Sequence, residues 1–305
     1  LTGSVDAKAF DALCDNHHPA TGEKLTARMK EDRRVGYDLN FHAPKSVTLA
    51  YAWRKDKRIL DAFRKAVQET MEELEQQAAT RVRGEGRNED RITGNLAWAE
   101  FVHFTARPVN GVPDPHLHIH CYTFNATYDE QEGRWKAAQF GEIKKEASYY
   151  EAAFRARLAV ALKELGYEIE PVGGSFELGG ISRSLIEKFS RRTAVVEAEA
   201  KKRGAYTAGE RDGLAALTRE KKVTNLSDKD LERLWWERLS PEDIKELNSL
   251  GKTFKREKER GRDWQAEALA YALEHVFERA SVVTEKQLIA EALRWGYGNV
   301  TAAGI

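Results

Sequence analysis

An alternating run of histidines, in the stretch VPDPHLHIHCYTFNATYD at residues 112–129, constrains the fold more than any other feature of this chain. His116, His118 and His120 occupy every second position, with the apolar Leu117 and Ile119 between them. Successive side chains of a β-strand point to opposite faces, so this pattern predicts a strand with three imidazoles on one face. The two apolar side chains then occupy the other face.

A fourth histidine lies in the segment before this strand. The stretch GNLAWAEFVHFTARP predicts a strand that contains His103 and ends in the Pro- and Gly-rich loop PVNGVPDP. Antiparallel pairing through that loop brings His103 opposite the row of histidines. Two neighbours of the row together with His103 would give three imidazoles and an open coordination position, as in catalytic metal sites. The plainer alternative is a set of half-exposed strand histidines that bind nothing.

A second alternating segment, VGYDLNF at residues 35–41, predicts a strand on which Asp38 points away from the apolar side chains. The following APKSVTLAYAW predicts a helix, and the apolar spacing from about Ile59 to Arg83 predicts one long amphipathic helix with EGRNEDR as its exposed exit. GRWKAAQF predicts a third strand, and GEIKKEASYYEAAFRARLAVALKELGY predicts another helix. Strands and helices mixed without a regular repeat indicate an α+β fold with an antiparallel sheet.

The pattern changes beyond Ser182, where three segments each carry a serine N-cap before helical spacing, which predicts an all-helical C-terminal third. The charged stretch GKTFKREKERGRD predicts a linker at 251–263, between a domain at 1–250 and a further helical unit at 264–305. We therefore place a domain boundary at this linker.

Charge and composition exclude several classes of protein. Lys plus Arg equal Asp plus Glu at 49 each, so a basic surface for a polyanion can arise only by segregation of charge. The two cysteines, Cys14 and Cys121, form no CxxC pair, which argues against a disulfide framework and favours the cytoplasm. No apolar run approaches the roughly 20 residues that span a bilayer, so we expect no membrane insertion. The first residue is Leu, not Met, so we expect the chain to begin inside a longer polypeptide.

The sequence resembles the TrwC/TraI-type relaxases of conjugative plasmids, which belong to the HUH endonucleases. The resemblance spans most of residues 1–200, and its motifs together are more specific than HxHxH alone. It rests on the stretches LTGSVDAKAFDAL, GYDLNFHAPKSVTL, TGNLAWAEFVHFTARPVNGVPDPHLHIHCYTFNAT, ALKELGY and IEKFSRRT. The resemblance implies an HUH/Rep-like palm sheet flanked by helices, helical fingers from about residue 182, and the start of a helicase-type region at 264–305.

The family motif of a histidine followed by DPxLHxH carries the metal ligands over to His103, His118 and His120. His116 falls where that motif varies, so we expect it to support a ligand or face DNA. The family's aspartate in the DLxFxAPKS motif carries over to Asp38, which would accept the nucleophile's proton or orient a ligating histidine. Alternatively, Asp38 is an ordinary strand residue on the solvent face.

The resemblance implies nicking and rejoining of one DNA strand at a plasmid origin of transfer, by metal-assisted attack of a tyrosine. The family's tyrosine segment precedes the stretch that matches LTGSVDAKAF, so we expect it upstream of Leu1. Tyr149 and Tyr150 match no nucleophile motif, and we interpret them as helix-packing residues. The implied cofactor is one divalent cation, Mg²⁺ or Mn²⁺ first and Zn²⁺ or Ni²⁺ as alternatives. No GxxxxGK[ST] motif is present, so ATP hydrolysis is not expected.

The implied partner is single-stranded DNA of the origin of transfer, with relaxosome accessory proteins and a coupling protein as further partners. Lys45 and Ser46 are candidates for phosphate contact, although APKS could equally be a turn and helix cap. The fingers add candidate phosphate contacts and stacking residues, against the alternative of solvated charge and core packing. These are Arg183, Lys188, Arg191, Arg192, Trp235 and Trp236.

Three other functions remain open from the sequence. A rolling-circle replication initiator uses the same HUH chemistry, and the missing tyrosine leaves room for a non-catalytic, metal-dependent module that binds single-stranded DNA. A hydrolase with a His-bound metal and a small substrate is the third. Formation of a covalent adduct with DNA separates the two nucleases from the other classes.

Overall fold

A computed structural model describes residues 3–27, 32–84, 86–205, 207–223, 225–251, 262–278 and 280–305 of the chain. The strands are β1 (Gly36–His42), β2 (Ala79–Gly84), β3 (Arg87–Ile92), β4 (Trp98–Val109), β5 (Val112–Phe124), β6 (Thr127–Asp129), β7 (Arg134–Lys136), β8 (Ala138–Gln139), β9 (Ile169–Val172) and β10 (Ser175–Leu178). The helices are α1 (Ala7–Cys14), α2 (Lys45–Arg54), α3 (Lys57–Glu75), α4 (Gly141–Lys145), α5 (Ala147–Glu164), α6 (Arg183–Lys188), α7 (Arg191–Arg203), α8 (Ala208–Leu217), α9 (Asp228–Trp236), α10 (Pro241–Ser249), α11 (Trp264–Phe277) and α12 (Glu285–Trp295).

The sheet that carries the histidines has the order β1-β5-β4, with both pairs antiparallel. This confirms the predicted α+β fold and the pairing of the two histidine strands. The third strand of this sheet is β1. The GRWKAAQF segment is largely strand, as predicted, but it belongs to other sheets. That segment forms β7, which pairs with β6, and β8, which pairs with β2.

The predicted loop PVNGVPDP is mostly strand. The hairpin between β4 and β5 turns at Asn110 and Gly111, whose φ angles of 54° and 74° suit a tight two-residue turn. Prolines lack a backbone donor, and the β4–β5 register shifts between His103 and Thr105 and again between Thr105 and Pro108. The prediction of a loop was wrong because irregular pairing accommodates the prolines within long strands.

The predicted helix from about Ile59 to Arg83 ends at Glu75, and its last third forms β2. The EGRNEDR stretch was expected to be an exposed exit, but most of it lies in β3, which pairs with β2. Sequence periodicity continued the helix too far because Ala79 and Val82 also fit a helical pattern. The short sheet β3-β2-β8 therefore lies beyond the end of α3.

The apolar face of the main sheet is buried in a core that also contains side chains of α2, α3 and α5. Leu117, Ile119 and Cys121 of β5 are at most 1% exposed. Phe154 of α5 meets Phe41 of β1 edge to face at a centroid distance of 5.1 Å. This packing holds β5 with its histidines on the opposite face.

The all-helical character of the segment after Ser182 is confirmed. Ser182, Ser227 and Ser240 each accept a hydrogen bond from the backbone N–H three residues on, as their predicted N-cap role requires. Among the described residues, no helix is both long enough and apolar enough to cross a membrane.

Asp114 ties these helices to the histidine strand. Its buried carboxylate accepts hydrogen bonds from the Arg191 backbone N–H at 3.0 Å, from Arg191 Nε at 2.9 Å and from Arg238 Nη1 at 2.7 Å. Burial alone would raise the pKa of Asp114, but the two guanidinium groups outweigh it and hold the pKa below its ordinary value. One carboxylate therefore joins β5 to the start of α7 and the end of α9.

Most of the predicted linker, residues 252–261, lies outside the described residues. The segment predicted as a further unit, 264–305, packs against the rest of the chain. Leu293 and Tyr297 are buried in the same hydrophobic cluster as α5, and the Tyr297 ring lies 5.9 Å from that of Phe176. The predicted helicase-type character of 264–305 stays a prediction.

Replacing Asp114 with Ala should lower the free energy of unfolding by about 2 to 3 kcal/mol, because the half-buried guanidinium groups of Arg191 and Arg238 lose the carboxylate that accepts their hydrogen bonds. Chemical denaturation at neutral pH measures this change. The exposed Asp61 of α3 is the control, and its replacement with Ala should change stability by no more than about 0.5 kcal/mol. A loss below about 1 kcal/mol for Asp114→Ala would contradict the anchoring role.

Candidate metal and DNA site

The polar face of the main sheet carries five imidazoles. His116, His118 and His120 share this face of β5, as the alternation predicted. His103 of β4 lies directly opposite His118, which confirms the predicted register. His42 of β1 lies opposite His118 on the other side. We call the surface formed by these five rings the imidazole face.

His42 was missed by sequence reasoning. It follows Asp38 and Asn40 at the same two-residue spacing, so the alternation of β1 was the signal that could have found it. Its Nδ1 lies 3.0 Å from Nε2 of His116, and the two rings stack at a centroid distance of 5.1 Å. His116 is therefore bonded to another histidine at the end of the row.

The three predicted ligands form a nearly equilateral set. Ring centroids are 5.2 Å apart for His103 and His118, and 5.1 Å apart for His103 and His120 and for His118 and His120. With metal–nitrogen bonds of about 2.1 Å, three imidazoles on one cation have centroids about 4.5 to 5.2 Å apart. The spacing of the rings therefore fits a shared cation.

Two of the three rings have their Nδ1 atoms occupied. His118 Nδ1 lies 3.0 Å from the backbone oxygen of His116, which makes Nδ1–H the donor. His120 Nδ1 lies 2.8 and 3.0 Å from the two carboxylate oxygens of Asp38. Both contacts leave Nε2 with its lone pair, the arrangement in which outer hydrogen bonds orient metal-binding imidazoles.

The electrostatics of this face keep imidazoles neutral. Burial lowers the pKa of His118 to about 4, and the neighbouring His42 adds to the effect. Burial and His120 also lower the pKa of His103. Neutral rings are the form that binds cations. In the described conformation, however, no group of three or more His, Cys, Asp or Glu side chains already converges as a metal cage, so the rings would have to rotate to share an ion.

A groove of about 680 Å³ runs along β1 beside this face, with α4 and α5 as its other wall. Asp38 and His42 lie at its β1 side, and Tyr150 and Phe154 line the helical side. In the described part of the chain β1 pairs only with β5, so its other edge faces the groove. The groove therefore leads along an open strand edge to the imidazole face.

The APKS segment has mainly structural contacts. Lys45 Nζ donates to the Pro115 backbone oxygen at 2.8 Å, and burial lowers its pKa to about 8. Ser46 is fully buried, donates from its hydroxyl to Glu177 at 2.5 Å and accepts from the Leu178 N–H at 2.7 Å. Ser46 is thus inaccessible to a phosphate in this conformation.

The predicted DNA-binding cations of the fingers are largely engaged within the fold. Lys188 pairs with Asp243, and Arg191 pairs with Asp114. Arg192 donates to the backbone oxygens of Thr218 and Ala215, and the exposed Arg183 pairs with Glu187 on its own helix. Sequence alone could not show these partners because all but Glu187 lie more than 20 residues away in the chain.

The predicted stacking residues and the paired tyrosines lie in the core. Trp235 is 5% exposed and donates from Nε1 to the Pro113 oxygen, while Trp236 packs edge to face on Trp53. Tyr149 and Tyr150 are buried on α5, and the Tyr149 hydroxyl donates to Glu73. Their interpretation as helix-packing residues is confirmed.

The chain is similar to conjugative relaxases. The sequence model of the TrwC relaxase family matches residues 1–241. Two Escherichia coli proteins called multifunctional conjugation protein TraI also match the chain. The one from strain K12 is 34% identical over 208 residues, and the other is 35% identical over 211 residues. Each alignment covers 64% of this chain and 11% of the relative, so the chain spans about a tenth of their length.

Solved structures give the same result. A copper-bound conjugative relaxase TrwC in complex with oriT DNA is 33% identical, with a TM-score of 0.72 over 81% of this chain and 83% of that one. TrwC bound to a 27-mer with the recognition hairpin and the cleavage site also has a TM-score of 0.72, at 33% identity, over 81% of this chain and 87% of that one. A metal-free TrwC complex with oriT DNA matches with a TM-score of 0.70 at 33% identity, over 78% of this chain and 85% of that one.

In metal-free protein, NMR titration of the His118 ring should give a pKa of about 4. In the unfolded chain the pKa of His118 is near 6.5, so on acidification the unfolded state takes up the proton at a higher pH than the folded state. The free energy of unfolding should therefore decrease as pH drops from 6.5 towards 4. The same titration in concentrated urea is the control and should restore the ordinary value. A value near 6.5 in the folded protein would contradict the described packing of the ring.

Proposed function

Because the chain belongs to the TrwC relaxase family, we propose that it nicks and rejoins one DNA strand at an origin of transfer. The observation that carries this proposal is the imidazole face. The ring centroids of His103, His118 and His120 lie within 5.2 Å of one another, and the Asp38 carboxylate is hydrogen-bonded to Nδ1 of His120. The similar TrwC relaxases, which are solved in complex with oriT DNA in both metal-bound and metal-free forms, support it.

We propose one divalent cation as the cofactor, held through Nε2 of His103, His118 and His120. When bound, it would polarise the non-bridging oxygens of the scissile phosphate. Mg²⁺ or Mn²⁺ is our first expectation from the resemblance, while imidazole ligands also suit Zn²⁺ or Ni²⁺. Asp38 would keep the His120 ring in the tautomer that presents Nε2, and the backbone oxygen of His116 would do so for His118.

The nucleophile in this proposal is a tyrosine that attacks the phosphorus, so that the DNA 3′ oxygen leaves and a phosphotyrosine bond replaces it. Tyr150 lines the groove, but Tyr149 and Tyr150 are both largely buried. Their hydroxyl groups are engaged, by Glu73 for Tyr149 and by Lys286 for Tyr150, so both are poor candidates. The groove along the free edge of β1 would admit a strand that brings a tyrosine beside Asp38. Asp38 is then placed to accept the phenol proton or to hold His120 while the bond forms.

Single-stranded origin DNA is the partner that the proposal requires. Accessory proteins of the relaxosome and a coupling protein are further proposed partners, and the cytoplasm is the proposed location. A module that binds DNA and metal without cutting is the alternative from another class. It would bind the same DNA but would form no covalent product.

The first test uses the natural full-length polypeptide that contains this chain, a labelled single-stranded oligonucleotide with its origin of transfer, and Mg²⁺ or Mn²⁺. A denaturing gel should show a covalent protein–DNA adduct. His118→Ala or chelation should lower its yield by about 100-fold or more, because phosphate oxygens lose their electrostatic stabilisation. Tyr149→Phe is the control and should keep the adduct.

Two outcomes would contradict the proposal. An adduct that survives both chelation and His118→Ala would remove the metal from the mechanism. DNA binding without any adduct would favour the non-catalytic module. If the Tyr149→Phe single variant is folded but forms no adduct, Tyr149 is instead the nucleophile.

The role of Asp38 can be tested without DNA. Asp38→Ala should weaken binding of Mn²⁺ or Zn²⁺ by about 10- to 100-fold, since His120 loses the carboxylate that orients its ring. Isothermal titration calorimetry measures the affinity. Asp61→Ala, which removes an exposed carboxylate on α3, is the matched control and should leave the affinity within about threefold of wild type. Equal affinities for the two variants would exclude the orienting role.

A further inference from the structure

A short segment after α8, with the sequence REKK at residues 219–222, lies against the tip of the β4–β5 hairpin. The carboxylate of Glu220 accepts hydrogen bonds from the backbone N–H groups of Asn110 at 2.9 Å and Gly111 at 3.1 Å. These are the two turn residues of the hairpin that carries the histidines. We call residues 219–222 the basic segment.

A second anchor fixes the start of the basic segment. The guanidinium group of Arg192 on α7 donates to the Thr218 oxygen at 2.8 Å and to the Ala215 oxygen at the end of α8. The backbone around Arg219 is therefore held from α7 on one side and from the hairpin on the other. A loop fixed in this way loses less entropy when it binds a ligand.

The anchored segment carries positive charge that the fold does not neutralise. Arg219, Lys221 and Lys222 are exposed, and within the described part of the chain none forms an ion pair with a carboxylate. The Arg192 guanidinium group donates to carbonyl oxygens, and the nearby carboxylate of Glu220 partly offsets its positive charge. This differs from Lys188 and Arg191, whose charges are paired with Asp243 and Asp114.

The basic segment contacts the turn of the hairpin whose two strands carry His103 and His118. The charge of Lys222 acts on the His103 ring, whose pKa is lowered by burial, by His120 and then by Lys222. Arg219 and Arg107 of β4 likewise act on Arg192, whose pKa is lowered chiefly by burial. Cationic side chains from β4, α7 and the basic segment are thus near enough to act on one another, in a chain whose net charge is zero.

We propose that Arg219, Lys221 and Lys222 bind the phosphates of single-stranded DNA at the turn end of the β4–β5 hairpin, and so hold a strand that reaches the proposed metal site on the same hairpin. This inference rests on the proposed function and names the DNA-gripping residues for it. Exposed cations that no carboxylate engages and that lie on a fixed backbone are suited to a phosphate chain. Arg192 and Glu220 are positioning residues that hold the segment in place.

The test compares two triple variants with equal loss of charge, in protein whose folding is checked by circular dichroism. One is Arg219→Gln/Lys221→Gln/Lys222→Gln, and the control is Lys57→Gln/Lys65→Gln/Lys245→Gln on exposed positions of α3 and α10. Affinity for a fluorescent single-stranded origin oligonucleotide is measured from low to high salt. The first variant should bind the oligonucleotide at least about 10-fold more weakly at low salt. The slope of log affinity against log salt concentration should become shallower by about 2, because each lost phosphate contact lowers its magnitude by roughly 0.7.

The control variant should keep the wild-type salt slope within about 0.7. Equal affinities and slopes for wild type and the basic-segment variant would overturn the inference, and so would an equal loss in both triple variants. If wild-type protein itself fails to bind the oligonucleotide, the proposed function fails instead. The two failures are therefore distinguishable.

The anchor has its own test. Glu220→Ala removes a negative charge, so electrostatics alone predicts tighter DNA binding, whereas loss of the hairpin contact predicts weaker binding. We expect binding about threefold weaker or more at low salt, because the released segment must be ordered again on binding DNA. Tighter binding would overturn the anchoring part of the inference.

Discussion

The antiparallel register of β5 with its two neighbours is the constraint on which the rest of the structure depends. One face of β5, with Leu117 and Ile119, is buried against the helices, and the other carries the histidines. A slip of one residue would move every imidazole into the apolar core, so burial of this face fixes the register. The same register places His103 and His42 on either side of His118.

Asp114 extends this constraint from the sheet to the helices. It lies in the same stretch as the histidines, four residues before His118, and its carboxylate holds Arg191 and Arg238. The helices that carry the proposed DNA-gripping segment are thus connected to the strand that carries the proposed metal ligands. A buried carboxylate with two guanidinium partners is costly to disrupt, so this connection stays fixed.

Local patterns predicted a large part of the site. Alternation along β5 and β1 predicted the common face of the histidines and the outward position of Asp38, and serine N-caps predicted helices after residue 182. Patterns failed where pairing partners decide the conformation. The Pro- and Gly-rich hairpin and the end of α3 were mispredicted because irregular strand pairing overrides local preference.

The sequence by itself determined which side chains share a face, since the period of a strand is fixed by backbone geometry, and its motifs indicated the relaxase family. Only the tertiary structure decided which cations are free to meet a phosphate. Lys188, Arg191 and Arg192 looked suitable in sequence, but the fold supplies their partners from distant segments. Arg219, Lys221 and Lys222 stay available to a phosphate because no carboxylate in the described part of the chain pairs with them, a fact that depends on three-dimensional neighbours.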